Sequence, residues 1–400
     1  MENGNSRSKD PILIAGGGIG GLATALMLSR SGHEVIVLEK AAQFAEIGAG
    51  LQLAPNATRV LTLLGVIDKI REVGVFPKKL RLKKALTDEN LTHLDLGDGF
   101  IQRYGAPYVV MHRNDLLRIL LEGCQEQPAA QLLTSKEIRT VDNDAQGVVA
   151  TCADGTTYRG KAFIGADGLW STTRKLLSDD VPVNSGYVSY RGTVPTESAA
   201  SHAPLDEVVA WIGPGLHYVQ YPLRSGNLYN QVAVFKSDQY LKGMENWGNS
   251  EELEEKLSVT CEHIRKAMPL LGRDHRWPMY DREPIDRWTL GNITLLGDAA
   301  HPMLQYLAQG ACQAIEDAFA IGTAFNLEPG NVNKALTMYE QARIPRTARV
   351  QRNARLWGDM WHIDGAGRIM RDELFSKRDP DDHSHIEWLY GKRDPLFVGD

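Results

Sequence analysis

The chain has 400 residues and a net charge of −6 at pH 7, with 43% hydrophobic and 24% charged residues. These ordinary globular values exclude a disordered chain, and the length predicts two or three structural units. A mildly acidic chain without a strongly basic run is also a poor candidate for binding nucleic acid. The 38 glycines exceed the usual share of about 7%, so their positions become informative.

The cysteines and the N-terminus predict the compartment. No C-x-x-C pair or metal-ligand spacing occurs among the four cysteines, Cys124, Cys152, Cys261 and Cys312. Dispersed cysteines of this kind indicate a reducing environment. The first ten residues are polar and contain no signal core, so we expect a cytoplasmic protein. Residues 11–29 are uncharged and long enough to raise the question of a membrane span, but their glycines favour a nucleotide-binding loop instead.

The predicted elements begin with a βαβ unit. A short apolar strand at 11–15 is followed by a glycine turn at 16–21, a helix rich in alanine and leucine at 22–31 and a β-branched strand at 33–39. Such a unit predicts a parallel sheet.

The middle of the chain is rich in predicted strands. After a helix at 57–64 come a hairpin at 78–97, a strand at 108–112, a helix at 116–125 and short strands between 131 and 164. Residues 181–237 alternate repeatedly between outward and inward positions, which predicts an antiparallel sheet. A charged amphipathic helix is expected at 250–268, and a last buried strand at 293–296.

The C-terminal part is predicted to be helical from about 309 to 375, with a polar tail at about 377–400 that wraps the surface. The fold class is therefore α/β with an α+β insertion: a Rossmann-like domain, a β-sheet substrate domain and C-terminal helices. We expect the Rossmann-like domain at 1–77, 105–180 and 281–345. The substrate domain is expected at 78–104 and 181–280, and the helical segment with its tail at 346–400.

The glycine turn contains a dinucleotide fingerprint. Residues 16–21 satisfy G-x-G-x-x-G between a strand and a helix, and Glu39 closes the second strand 18 residues past Gly21. Glycines let the backbone approach a pyrophosphate, and the helix N-terminus offers free amides and partial positive charge. A glycine-rich turn that only packs against a helix is the alternative. The acidic Glu39 favours a free adenosine ribose, as in FAD or NAD.

Further motifs favour FAD. A D-G motif follows a predicted strand at 165–174, a G-D motif follows the last buried strand at 295–302, and Gln309-Gly310-Ala311 opens a helix. In this order and over nearly the whole chain, the motifs resemble those of the single-component FAD-dependent aromatic hydroxylases of the para-hydroxybenzoate hydroxylase type. Segments at 48–56, 112–116, 217–224, 277–284 and 305–308 are most similar to members acting on 3-hydroxybenzoate, with salicylate-hydroxylating members next.

The resemblance implies FAD as cofactor and NADH or NADPH as a transiently bound co-substrate without a second Rossmann domain. It also implies the residues that contact FAD: Gly16, Gly18 and Gly21 at the pyrophosphate, Glu39 at the adenosine ribose, Arg113 beside the cofactor, Asp167 in the D-G motif, Asp298 at the ribityl chain and Ala311 near the flavin ring.

The reaction implied by the resemblance is a monooxygenation. NAD(P)H reduces FAD, the reduced flavin captures O2 as a C4a-hydroperoxide, and an oxygen atom passes to an electron-rich ring. The expected substrate is a hydroxybenzoate, with 3-hydroxybenzoate giving 2,5-dihydroxybenzoate (gentisate). Salicylate, giving catechol and CO2, is the alternative.

Such a site needs a base near the phenol, because a phenolate is the better nucleophile. His217 alternates with Val219 and Tyr221 on one strand, so the three side chains share a face; a histidine with a purely structural role is the alternative. Gln305, just past the G-D motif, is expected to orient the phenol oxygen unless it caps its own loop. Tyr221 and Tyr108 are the expected substrate contacts, although Tyr108 suits a packed aromatic equally well.

Other interpretations remain open at this point. Arg191 and Arg224 are alternative partners for a carboxylate or a nicotinamide cofactor, but arginines on a sheet are as readily solvated. The protein could be an FAD oxidase or reductase that inserts no oxygen, or a flavin- or NAD(H)-binding sensor that works through a partner. The helical region around 343–361 favours a homodimer, and no metal site is predicted.

Overall fold

The computed structural model describes residues 10–45, 48–144, 146–199 and 204–392. The strands of these segments are, in chain order, β1 (Ile12–Ala15), β2 (Val35–Leu38), β3 (Gly50–Leu53), β4 (Lys79–Lys84), β5 (Asn90–Asp95), β6 (Val109–His112), β7 (Ala130–Leu133), β8 (Ile138–Asp144), β9 (Gly147–Cys152), β10 (Thr157–Gly160), β11 (Ala162–Gly165), β12 (Val183–Pro195), β13 (Glu207–Gly213), β14 (Leu216–Leu223), β15 (Leu228–Lys236), β16 (Trp277–Asp281), β17 (Thr289–Leu290) and β18 (Ile293–Leu295). The α-helices are α1 (Ile19–Arg30), α2 (Pro55–Leu63), α3 (Ile67–Val73), α4 (Asp98–Tyr104), α5 (Arg113–Gln125), α6 (Asp238–Leu241), α7 (Ser250–Ser258), α8 (Glu262–Ala267), α9 (Gly310–Leu327), α10 (Val332–His362), α11 (Gly365–Ser376) and α12 (Glu387–Tyr390).

A six-stranded sheet forms the first layer, in the order β17-β18-β11-β1-β2-β7. Its central strands are parallel, and β17 adds an antiparallel edge. Strands β1 and β11 are apolar and fully buried, because helices such as α1 and α5 cover one face of the sheet and the three-stranded sheet β10-β9-β8 packs on the other. The predicted βαβ unit is confirmed, as is the Rossmann-like arrangement of a parallel sheet under helices.

A seven-stranded sheet forms the second layer, in the order β16-β12-β15-β14-β13-β4-β5. Its pairs are antiparallel except for β13 and β4, which are parallel and far apart in the chain. The predicted hairpin at 78–97 thus extends the predicted sheet of 181–237. The exact domain boundaries stay a prediction.

The two faces of the seven-stranded sheet have different neighbours. One face shares a hydrophobic core with the Rossmann-like layer through Val208, Ala210, Val219, Tyr221 and Val234. The other face packs with the short helices α7 and α8 through a separate core that includes Trp211 and Tyr218. Period-2 alternation along each strand produces this division. Any side chain on the first face therefore points towards the dinucleotide-binding layer.

A buried ion network joins helices α9 and α10. The Arg343 guanidinium donates to Asp317 at 2.7 Å and to Glu316 at 2.6 Å, and Arg346 donates to Glu316 at 2.6 Å. Burial acts to raise the pKa of both carboxyl groups, but Arg346 and Arg343 hold the pKa of Glu316 below its usual range, and His301 and Arg343 do the same for Asp317. His301 completes the network, since its Nε2 lies 2.6 Å from Asp317 Oδ2. This histidine therefore holds the loop that carries the G-D motif, as its position in the sequence suggests.

Two expectations about the later part of the chain are wrong. The single helix expected at 250–268 is broken into α7 and α8, because the Cys261 amide leaves the helical pattern to donate to Ala85 O at 2.7 Å. The tail is expected to wrap the surface, but in its described part, which ends at residue 392, Leu389 and Tyr390 are buried in the core. Arg59 secures this segment by donating to the carbonyl oxygens of Tyr390 and Gly391.

None of the helices in the described segments is long and apolar enough to cross a membrane. The four cysteine thiols are all free and buried.

Candidate active site

Backbone contacts between three motifs shape the glycine turn. Gly16 has φ +102°, and a Cβ placed on it would lie 2.3 Å from the carbonyl oxygen of Ala166, which precedes the D-G motif. A Cβ on Gly21 would lie 2.0 Å from the oxygen of Gly16. Only glycine permits this positive φ and this close approach. The turn after β1 and the loop after β11 are therefore packed against each other, backbone to backbone.

Two helix N-termini lack the side chains that usually satisfy their free amides. Helix α1 starts after Gly18, and α9 starts at Gly310 with Ala311 as its second residue. Neither has a side-chain cap or an acidic residue in its first turn. Free amides and a positive helix dipole at both ends suit an anionic or strongly hydrogen-bonding ligand.

Two predicted cofactor carboxylates are oriented by backbone amides. Glu39, at the end of β2, accepts hydrogen bonds from the Gly17 amide at 2.7 Å and the Ala41 amide at 2.8 Å. Its carboxylate is thereby held against the glycine turn. Asp167 accepts from Ser171 Oγ at 2.6 Å and from the Thr172 amide at 2.9 Å, so it organises the loop that follows the D-G motif.

The side chains of Arg113 and Asp298 lie on the same side of the sheet. Arg113 opens α5, its amide donates to Ala49 O, and its Cδ lies 3.1 Å from the position of a Cβ on Gly48. Burial lowers the pKa of its guanidinium, while Asp298 acts in the opposite direction. Asp298 is exposed and lies 3.9 Å from the position of a Cβ on Gly310, beside the N-terminus of α9.

These features together fit FAD. The glycine turn has a backbone conformation that a Cβ at Gly16 or Gly21 would prevent, and the amides at the start of α1 and α9 have no side-chain cap. A carboxylate lies at the end of β2, where a ribose hydroxyl is expected, and Arg113 supplies a cation between these points. The structure therefore brings together all the predicted cofactor residues, Gly16, Gly18, Gly21, Glu39, Arg113, Asp167, Asp298 and Ala311, along the carboxyl edge of the parallel strands.

Cross-strand register places four polar residues on the sheet face that points towards this cradle. Ser189 of β12 and His217 of β14 both pair with Val234 of β15, and Arg191 of β12 pairs with Val232, two residues away on the same face. Asn230 pairs with Tyr221 on this face. Ser189 Oγ, Arg191 Nε and Asn230 Nδ2 are buried without a hydrogen-bond partner. Unsatisfied buried polar atoms are rare, so their gathering on one face marks a site for a polar ligand.

Arg191 is the cation of this face, and of the two alternatives left open for it, a ligand partner or a solvated side chain, the buried position favours a ligand partner. Its Nη2 donates to Gln305 Oε1 at 3.0 Å, and its guanidinium carbon lies 5.6 Å from the Trp277 ring centroid. Burial lowers the pKa of the guanidinium, and no carboxylate of the described segments forms an ion pair with it. Arg224, by contrast, is half exposed and pairs with Asp115 at 2.9 Å.

His217 is buried in an aromatic environment. Its Nδ1 lies 2.8 Å from His362 Nε2, and its ring meets Tyr306 and Trp361 edge-on at 5.5 and 5.2 Å. Burial, with a smaller effect of His362, lowers the pKa of His217 well below its ordinary value. His217 is therefore neutral at pH 7 and has a ring nitrogen able to accept a proton. His362 is not among the residues predicted from the sequence. Its one signal in the sequence is the unusual Met-Trp-His cluster at 360–362.

The two predicted substrate tyrosines both contact residues of β3. The Tyr221 ring lies 2.5 Å from the position of a Cβ on Gly50, so this glycine makes room for it. Tyr108 donates from its hydroxyl to Gln52 Oε1 at 2.7 Å and meets the ring of Tyr390 edge-on at 6.4 Å. Burial raises the pKa of both phenols. Both side chains are therefore neutral hydrogen-bonding groups.

The chain is similar to known proteins over nearly its whole length. The sequence profile of the family described as "FAD binding domain" matches residues 9–354. A 3-hydroxybenzoate 6-hydroxylase of Polaromonas naphthalenivorans is 39% identical over 95% of this chain and 96% of that protein. The 3-hydroxybenzoate 6-hydroxylase 1 of Aquipseudomonas alcaligenes is 39% identical over 95% of this chain and 97% of that protein. The crystal structure of Klebsiella pneumoniae HpxO complexed with FAD and uric acid has a TM-score of 0.81 and 25% identity, covering 94% of this chain and 95% of that one.

Proposed function

The chain belongs to the family with this FAD binding domain, and from that premise we propose that it is an FAD-dependent monooxygenase of 3-hydroxybenzoate. In the proposed reaction, 3-hydroxybenzoate, O2, NAD(P)H and a proton give 2,5-dihydroxybenzoate, NAD(P)+ and water. Two relatives that are 39% identical over nearly the whole chain support this substrate by their names. The observation that carries the proposal is the sheet face that holds Arg191 and His217, with Gln305 hydrogen-bonded to Arg191 from the neighbouring loop.

FAD, when bound, accepts a hydride from NAD(P)H and activates O2. The proposed contacts of the protein with FAD are the glycine turn with α1 at the pyrophosphate, Glu39 at the adenosine ribose, Asp298 at the ribityl chain and the Ala311 amide at the flavin ring. Arg113 adds a positive charge beside the pyrophosphate. Asp167 keeps its loop folded against the glycine turn rather than contacting the cofactor itself.

Arg191 binds the substrate carboxylate in this proposal. A partly buried guanidinium without a carboxylate partner is costly, and an aromatic acid supplies the missing charge. Arg191 and His217 lie two strands and two residues apart, which places their Cα atoms about 12 Å from each other. A hydroxybenzoate with one hydrogen bond at each end spans this gap once both side chains extend inward.

His217 and Gln305 act at the phenol. The neutral imidazole accepts the phenol proton, and the phenolate then directs electron density to the carbon para to its oxygen, where oxygen is added. Gln305 is held by Arg191 through its Oε1, so its amide N–H groups remain available to orient the phenol oxygen. Tyr221 and Tyr108 form the proposed walls beside the ring.

The same site bears on the salicylate alternative. Salicylate hydroxylation needs attack at the carbon that carries the carboxylate, followed by loss of CO2. A carboxylate bound by Arg191 is stabilised as the anion, and this contact opposes its departure as CO2. This contact favours 3-hydroxybenzoate, with oxygen added para to the hydroxyl.

Three further properties belong to the proposal. The four free, buried thiols support a cytoplasmic location. The exposed apolar side chains of α10 and α11, such as Leu356 and Met370, support a homodimer. We also propose NADH as the co-substrate. Sedimentation analysis and a comparison of NADH with NADPH test the last two.

A panel of hydroxybenzoates, scored for O2 and NADH consumption and for the product formed, tests the function. We expect a yellow protein that couples NADH oxidation to gentisate formation when 3-hydroxybenzoate is added. Catechol and CO2 from salicylate would support the alternative substrate. Peroxide without any hydroxylated product would support a non-oxygenating flavoenzyme, and tight FAD binding without turnover would support a sensor. A protein that cannot be reconstituted with FAD would refute the proposal.

A further inference from the structure

Two buried histidines from distant parts of the chain form a hydrogen-bonded pair. His217 comes from β14 and His362 is the last residue of α10. Their Nδ1 and Nε2 atoms lie 2.8 Å apart, and the two rings are nearly parallel, with an interplanar angle of 16°. His217 is 2% and His362 is 7% exposed. The pair therefore runs from the interior face of the sheet towards the edge of the molecule.

His362 is fixed from several sides. The Tyr187 ring stacks on it with centroids 4.7 Å apart, and the Gly215 amide donates to its carbonyl oxygen at 3.0 Å. Arg371 of α11 caps the end of α10 by donating to the carbonyl oxygens of Met360 and Trp361. A histidine held this firmly can set the orientation of the ring that it contacts.

The surroundings of the pair make a lasting positive charge unfavourable. The titratable and charged groups that act on it or on its packed rings are Tyr187, Lys236 and Asp281 from the sheet, Tyr306 from the loop after the G-D motif, Asp359 from α10 and Arg371 from α11. Burial, Arg371 and Lys236 lower the pKa of His362 to about 3. Both rings are thus neutral at rest, and a proton accepted by His217 has to be passed on.

We propose that His362 is the positioning residue and proton acceptor for His217: it accepts the Nδ1–H hydrogen bond of His217, so that Nε2 of His217 presents its lone pair to the substrate phenol. The inference rests on the proposed function, in which His217 is the base. It explains why the Met-Trp-His cluster lies at the end of the longest helix.

The proton transfers balance. The phenol O–H bond breaks as an N–H bond forms at Nε2 of His217. The Nδ1–H bond of His217 breaks as an N–H bond forms at Nε2 of His362, and His362 gives up its own Nδ1 proton to water. Both rings end neutral, and the same steps in reverse return a proton to the oxygen when the product phenol forms again. No oxidant or reductant is required.

The ionisation of bound substrate tests this inference without turnover. 3-Hydroxybenzoate is bound to the oxidised FAD-loaded protein without NADH, and the ultraviolet spectrum of phenol against phenolate is recorded as a function of pH. We expect His362→Phe, which keeps a flat ring against Tyr187, to raise the pH midpoint of phenol ionisation by about one unit or more. At a given pH, this shift is about a tenfold loss of phenolate. His362→Gln, which retains a hydrogen-bonding group, should restore part of the shift.

The control is His263→Phe. His263 stacks on Trp211 at 4.7 Å and lies 2.7 Å from Gln220, on the opposite face of the same sheet. We expect the substrate midpoint of this variant to match that of the unmodified protein. This variant reports any general effect of replacing a histidine that stacks against the sheet.

Comparison with His217→Phe separates this inference from the proposed function. If His217→Phe leaves the midpoint unchanged, the base itself is wrongly assigned. If His217→Phe raises the midpoint while His362→Phe and His362→Gln do not, only the role of His362 is overturned. If the phenylalanine variants fail to fold, ¹⁵N-histidine NMR of the unmodified protein decides, because the inference requires a proton on Nδ1 of His217, and a proton on Nε2 overturns it.

Discussion

Replacing Arg191 by methionine should weaken substrate binding without weakening the fold. The structure gives Arg191 one hydrogen bond to Gln305, a contact with the Trp277 ring and a buried Nε without a partner. Methionine has a similar length and no charge. A charge-assisted hydrogen bond to the substrate carboxylate contributes about 1.5–3 kcal/mol, which corresponds to a rise in Kd of roughly 10- to 150-fold.

The effect on stability should be small, because two changes oppose each other. The variant loses its contacts with Gln305 and Trp277, together roughly 2 kcal/mol, but it also removes a partly desolvated cation that has no carboxylate partner. We expect the free energy of unfolding to change by less than about 1 kcal/mol. Breaking a buried ion pair would instead lower it by roughly 3–5 kcal/mol.

The assay is a titration of the oxidised protein with ligand, followed by the change in flavin absorbance, beside urea unfolding of the same variant. 3-Hydroxybenzoate should bind more weakly to the variant, whereas 3-hydroxybenzamide, which lacks the negative charge, should bind equally to both proteins. Arg224→Met is the control, since Arg224 already pairs with Asp115 and should leave both affinities unchanged. An unchanged Kd for 3-hydroxybenzoate, or a loss of about 3 kcal/mol or more in stability, would refute the reasoning.

The remaining predictions concern stability and cofactor binding. The folded-state pKa values of His217 and His362 lie below the ordinary 6.5, so the unfolded chain binds more protons than the folded chain. Urea unfolding should therefore show the full contribution to stability above about pH 6.5, and below that pH a loss of up to about 1.4 kcal/mol per pH unit for each histidine. Replacing both histidines by phenylalanine should flatten this slope. Gly16→Ala should lower the free energy of unfolding by at least about 1–3 kcal/mol and abolish FAD binding, because its φ and its 2.3 Å approach to Ala166 O exclude a Cβ; FAD bound at the level of the unmodified protein would contradict this. Arg343→Met should cost roughly 3–5 kcal/mol in urea unfolding, because Asp317 stays buried without its arginine while Glu316 keeps only Arg346. A loss below about 1 kcal/mol would show that the network is dispensable.

The sequence alone was sufficient for the dinucleotide-binding unit. The strand, the glycine turn, the helix and the acidic residue at the end of the second strand are neighbours in the chain, and each follows from local sterics and periodicity. Period-2 alternation likewise predicts that His217 and Tyr221 share one sheet face, because both lie on the same short strand. Features with such short-range causes could be predicted to within a few residues.

Contacts between distant segments could not be predicted in this way. The parallel pairing of β13 with β4 joins strands more than a hundred residues apart, and the break after α7 arises because the Cys261 amide bonds to Ala85. Neither leaves a periodic signal, since a backbone amide pairs equally well with any carbonyl that the fold presents.

The chemistry of the candidate site shows the same division. Sequence patterns indicated His217 and Gln305 because each lies next to a recognisable motif. Only the tertiary structure turned Arg191 inward to Gln305 and brought His362 against His217, 145 residues away. Local alternation determines the face on which a polar side chain lies, whereas packing of distant elements determines whether that face meets water, a ligand or another side chain.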